Sequence, residues 1–248
     1  MPTDRATLSA FKSEVTAALA GIATVVLLDE ELGSEAIAAL PVGLALVMPL
    51  EEQGYESVDD GRVTMLLADF SPTRARSLGA VACKLLLPYH PRHAEAARLQ
   101  ESVVRQARDA CDAAGLGLIL EPIVYEGTGP TFAADVIASA RRLAALRPDV
   151  LKVQFPAGSD DDERACRALH EACGDTPWVL LGGGADAQTF RAQVRVACRN
   201  GARGFIAGRT VWEAALESDP RARQGALGTC ASILGEAAEI ARAVRAAT

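Results

Sequence analysis

Lysine is scarce in this chain: of 25 lysine and arginine residues only Lys12, Lys84 and Lys152 are lysine. Arginine stays charged and cannot serve as an amine nucleophile, so a lysine kept inside an apolar strand draws attention. Histidine is equally rare, with only His90, His93 and His170. The run His90-Pro91-Arg92-His93 has no evident third ligand, so no metal and no other cofactor is expected. The six cysteines, at 83, 111, 166, 173, 198 and 230, include no Cys-x-x-Cys pair. That excludes a zinc ribbon or a thioredoxin motif and leaves reduced, mostly buried thiols. No apolar run approaches the ~18 residues of a membrane span, and the opening Met1-Pro2-Thr3-Asp4-Arg5 lacks the apolar centre of a signal peptide. A soluble, cytoplasmic protein is expected. A formal charge of −7 excludes a nucleic-acid footprint.

What is present points to a barrel. The 248 residues, 50% hydrophobic, suffice for one large core, read as a single domain over 1–248. Apolar runs of strand length lie at 24–29, 42–48, 81–87, 117–121, 150–155, 178–182 and 204–208. Helical patterns separate most of them, at 72–78, 94–114, 133–146, 160–173 and 186–200. This alternation predicts an α/β fold, a (β/α)8 TIM barrel, in which near-continuous apolar strands are buried on both faces. Eight strands are needed and seven are plain; the chain opens with a helix, about 8–19, so the first strand is lacking or replaced. The segment 63–67 is a candidate eighth strand, and 221–246 reads as a closing helix.

Side-chain alternation puts Val150, Lys152 and Gln154 on one strand face and Leu151, Val153 and Phe155 on the other. By the same parity Lys84 and Glu121 point into the lumen. A buried ammonium needs a carboxylate partner or a lowered pKa, and only the neutral amine attacks a carbonyl. Lys84 is placed to supply the neighbouring cation that favours neutrality, and Glu121, on the strand between, to act as general acid and base. A buried Lys–Glu pair that only fixes packing is the competing reading. The run Gly182-Gly183-Gly184 ends the penultimate strand and Gly208-Arg209 the last, the two loops that commonly bind phosphate in such barrels. Asp29, at its strand's carboxyl end, is read either as orienting substrate hydroxyls or as a helix cap.

The segments LLDEELG (27–33), CKLLLPYHP (83–91), LILEPIVYE (118–126), DVLKVQFP (149–156), WVLLGGGADAQTF (178–190) and FIAGRTVW (205–212) together resemble the class I tagatose-bisphosphate aldolase family and its sulfofructose-phosphate aldolase relatives. The resemblance spans nearly the whole chain. It implies a metal-independent lyase that cleaves a ketose phosphate, bisphosphate or sulfonated ketose phosphate to dihydroxyacetone phosphate and an aldehyde. Lys152 matches the Schiff-base lysine, Glu121 the acid/base carboxylate, Lys84 the second active-site lysine, and Gly183, Gly184, Gly208 and Arg209 the phosphate loops. Family members begin with a barrel strand ending in an aspartate, and the first helix here aligns with the segment after it. Either the start is internal to a longer protein, or this is a shortened homologue with an open barrel. A sugar-phosphate-binding or regulatory barrel that lost turnover with that strand is the alternative function. GGG replaces the family's SxG-like turn, which leaves the substrate open. The expected partners are a small-molecule sugar phosphate and further copies of the chain, as a homo-oligomer.

Overall fold

A computed structural model of the chain describes residues 4–127, 129–217 and 219–247. Helix α1 (Arg5–Leu19) opens it, with Asp4 accepting a hydrogen bond from the Thr7 amide. Seven parallel strands follow, in the order β1 (Val25–Leu27), β2 (Ala45–Pro49), β5 (Ala80–Pro88), β6 (Gly117–Ile123), β7 (Val150–Val153), β8 (Trp178–Leu181) and β9 (Phe205–Ile206). They form one curled sheet in which consecutive strands are neighbours. Among the described residues the sheet does not close: β1 pairs only with β2, and β9 only with β8.

The candidate eighth strand takes another role. Residue 63 ends β4 (Gly61–Val63), which pairs antiparallel with β3 (Glu56–Val58), and Leu66 bridges back to Glu51. This hairpin stands over the carboxyl end of the sheet, a use of residues 63–67 that an apolar run alone does not reveal. The run 42–48 also starts later than expected. Leu44 bonds back to Pro41 in a turn, and pairing begins at Ala45.

Helices cover the outer face: α2 (Glu30–Ala38), α3 (Pro72–Ser77), α4 (Ala94–Ala114), α5 (Gly129–Ala144), α6 (Asp162–Cys173), α7 (Ala187–Arg199), α8 (Arg209–Glu217) and α9 (Pro220–Ala246). In α4 the buried positions Ala97, Gln100, Val104, Ala107 and Cys111 recur at three- and four-residue spacing, the stripe that packs on the sheet. The sheet's side of that core is Leu85, Leu87, Leu118, Leu120, Leu151 and Leu180, all fully buried. These are the outward-parity positions, so the intervening residues are left to face the lumen. A second cluster, Phe11, Leu19, Val211, Ala215 and Cys230, joins α1 to α8 and α9. All six cysteines are free and buried.

Candidate active site

Strand register brings the lumen residues together. Leu120 pairs with Leu151, so Glu121 and Lys152 come level on adjacent strands, while Lys84 pairs with Ile119, two residues below Glu121. Lysine is long enough to span that step. Lys152 Nζ lies 2.8 Å from Glu121 Oε1, and Lys84 Nζ lies 3.4 Å from Glu121 Oε2. One carboxylate therefore bridges the side-chain nitrogens of two lysines, and all three residues are at least 92% buried.

A fourth member was not read from the sequence. Glu51, just past the end of β2, forms an ion pair with Lys84 through Oε1 and accepts a hydrogen bond from the Leu86 amide through Oε2, 3.2 Å. The signal available was position: a carboxylate at the carboxyl end of a strand, where barrel chemistry is built. The neighbouring Glu52 is equally acidic, but Glu51 continues the face of Pro49, which pairs with Lys84, and its backbone bridges to Leu66.

Burial pushes the Lys152 amine below its ordinary value, Glu121 pulls it back up, and the Lys84 charge pushes it down again. Desolvation wins because it penalises the ammonium whatever its partner. Lys152 is thus the lysine biased toward the nucleophilic form. Lys84 is clasped by two carboxylates, Glu51 and Glu121.

The glycine loops lie at the same end of the sheet. Gly183 and Gly184 adopt φ of 65° and 74°, left-handed values that a side chain would strain. Thr210 ties this loop to α8: its hydroxyl donates to the Gly182 carbonyl at 3.0 Å and accepts from the Gly184 amide at 3.1 Å. A methyl group at position 182 would meet Thr210 Oγ1 at 3.1 Å and the Ala207 Cα at 3.2 Å, so the two loops pack in contact. Gly208 and Arg209 open α8, where the Val211 and Trp212 amides donate to the Gly208 carbonyl, and the Arg209 side chain is exposed. Helix dipole and guanidinium give this end a positive character.

Asp29 caps α2, accepting from the Leu32 amide at 2.8 Å, and pairs with Lys12. The cap described as the competing reading in the sequence is therefore formed, and it uses Oδ1. Gln154, of lumen parity, is spent on the Val124 amide at 2.7 Å, which holds the ends of β6 and β7 together. His90 and His93 stack with ring centroids 4.2 Å apart, and the His93 ring meets the Tyr125 hydroxyl. Among the described residues no three His, Cys, Asp or Glu side chains are grouped to share a metal ion.

Comparison with known proteins points to one family. A tagatose 1,6-diphosphate aldolase of Listeria monocytogenes is 27% identical over 236 residues, covering 84% of this chain and 70% of that protein. Tagatose 1,6-diphosphate aldolase 2 of Enterococcus faecalis is 28% identical over 246 residues, covering 86% and 72%. Among solved structures, an archaeal fructose 1,6-bisphosphate aldolase superposes with a TM-score of 0.65 at 20% identity, covering 93% of this chain and 83% of that one. The fructose-bisphosphate aldolase of Plasmodium falciparum gives 0.73 at 12% identity, covering 96% and 83%. The DeoC/LacD family aldolase model matches residues 2–214. This chain belongs to the DeoC/LacD family of aldolases.

Proposed function

We propose that the chain is a class I aldolase that cleaves a ketose phosphate or bisphosphate, or a sulfonated ketose phosphate, to dihydroxyacetone phosphate and an aldehyde. The observation that carries this reading is the buried Lys152 amine, held below its ordinary pKa and 2.8 Å from the Glu121 carboxylate. The neutral amine adds to the substrate ketone, and loss of water leaves a protonated imine. Glu121 takes the proton from the hydroxyl on the carbon beyond the bond that breaks, and the electron pair of that bond moves into the iminium. The aldehyde departs. The enamine is then protonated on carbon, and hydrolysis frees the three-carbon ketone and restores the amine.

Lys84 pairs with Glu121 from the far side, 3.4 Å away, and anchors the carboxylate that acts on the substrate. Gly183, Gly184, Gly208 and Arg209 receive the substrate phosphate or sulfonate. Asp29, with one oxygen committed to α2, is assigned a substrate hydroxyl through the other, in exchange with Lys12.

Borohydride reduction in the presence of dihydroxyacetone phosphate tests the reading. Mass spectrometry should find a three-carbon adduct on the peptide carrying Lys152, the Lys152→Met chain should form none, and a chelator should leave cleavage unchanged. An adduct on another residue, or binding of the sugar phosphate without any adduct, overturns it; the second outcome is that of a regulatory barrel without turnover.

A further inference from the structure

The amino end of the sheet, opposite the glycine loops, holds a concavity of about 370 Å³ lined by His170, Cys198, Gly201, Ala202, Arg203 and Arg245. Crossover helices run back against parallel strands, so the ends of α6, α7 and α9 meet the start of β9 there. Two guanidinium groups and an imidazole share this wall, and no carboxylate is among its described lining residues. In a chain of formal charge −7 that grouping runs against the average surface.

The polar groups are held in place. The Trp178 indole N–H can only donate, and it lies 3.3 Å from His170 Nδ1. In the neutral ring this leaves the proton on Nε2, so the second nitrogen is a donor. The ring lies against the backbone of Gly201, whose φ is 99° and where a methyl group would meet Nδ1 at 2.5 Å. Glycine is required there by the backbone angle and again by the ring above it. Arg245 donates through Nη1 to the Arg203 carbonyl at 3.0 Å, and the Arg203 amide donates to the Trp178 carbonyl at 2.8 Å. Hydrogen bonds thus link the imidazole and both arginine residues through the starts of β8 and β9.

A stabilising role accounts for part of this. His170 and Arg245 stand in the last turns of α6 and α9, where positive charge offsets the helix dipole. Arg203 stands on the connection between α7 and β9, and no ion pair among the described residues includes its guanidinium. We infer that this cavity binds a small organic phosphate, a dianionic monoester whose phosphate takes the Arg203 fork and the His170 Nε2–H while its organic part fills the remaining space. Arginine's planar fork suits phosphate oxygens taken in pairs. The volume falls within the ~300–1,000 Å³ of small-ligand pockets, larger than an inorganic ion needs. His170, Arg203 and Arg245 are all exposed, so the ligand enters without rearrangement.

The inference does not depend on the aldolase reading, because binding is read on His170 and not on turnover. With only three histidines in the chain, imidazole NMR signals resolve the site. Titration of the full chain with glycerol 3-phosphate at constant ionic strength should move the His170 signal, identified by its loss in His170→Asn, along a saturable curve. Chloride and glycerol should not move it, and inorganic phosphate should bind about tenfold more weakly than the ester. Arg203→Gln should weaken the ester by about tenfold or more, and Arg203→Lys by less. Arg209→Gln, at the opposite end of the sheet, should leave the curve unchanged. The inference is overturned if the His170 signal stays still, if chloride moves it equally, if inorganic phosphate binds as tightly as the ester, or if Arg209→Gln weakens binding as much as Arg203→Gln. The first three comparisons use the unsubstituted chain, so they stand even where a variant fails to fold.

Discussion

Lys152 and Glu121 meet at 2.8 Å from adjacent strands, and the second oxygen of the same carboxylate faces Lys84 at 3.4 Å. A carboxylate so placed tunes the nucleophile and is also within reach of a substrate hydroxyl. Glu121→Gln keeps the shape and removes the base. Turnover of the ketose phosphate should fall by about 10²- to 10⁴-fold, while the borohydride adduct on Lys152 still forms. Equal loss of both would assign Glu121 to holding Lys152 alone.

The pH dependence has a definite sign. Only neutral Lys152 adds to a carbonyl, and burial holds its pKa below the ordinary 10.5, so the rate of adduct formation should rise with pH and level off below that value. Lys84 contributes a downward push, so Lys84→Met should move the midpoint upward. Single-turnover trapping across about pH 6 to 10 reads both midpoints; a downward move would contradict the electrostatic account.

Glu51 and Lys84 form a pair whose side chains are 12% and 6% exposed. Glu51→Gln leaves Lys84 with Glu121 alone, and should cost about 3 kcal/mol in urea unfolding, at the lower end for a broken buried pair because one partner remains. Adding Lys84→Met to that variant should return most of the loss. A double-mutant cycle with no coupling would show that the pair contributes nothing.

Thr210 links the two glycine loops by two hydrogen bonds. Thr210→Val preserves volume and removes both, so KM for a phosphorylated substrate should rise about tenfold with kcat changed less than about twofold. Inhibition by inorganic phosphate should weaken in parallel. A fall in kcat at constant KM would place Thr210 in the chemistry instead.

The strands were legible wherever burial on both faces left a near-continuous apolar run, as in 81–87 and 117–121, because the signal for such strands is local. Parity then sufficed to send Lys84, Glu121 and Lys152 inward together. Glu51 was missed because it lies past the apolar run of β2, where the chain leads into a hairpin that no local pattern records, although it continues the face of Pro49, which pairs with Lys84. The function of residues 63–67 was hidden for the same reason. Asp29 shows the opposite case: an aspartate preceding Glu30-Glu31 looks the same whether it caps a helix or waits for a ligand, and here its cap is made.

The turn of the hairpin carries Asp60, which receives the amides of Glu95 and Ala96 at 2.9 and 2.8 Å and so supplies the cap that His93, at the start of α4, does not provide. Glu51, at the foot of the same hairpin, neutralises Lys84. Peeling away this small two-stranded flap would expose the first turn of α4 and strip a counterion from the lysine network in a single event. Warming should accordingly lower the pH midpoint of Lys152 trapping, because Glu51 no longer favours the charged amine, while the sheet and its covering helices still give their full circular-dichroism signal.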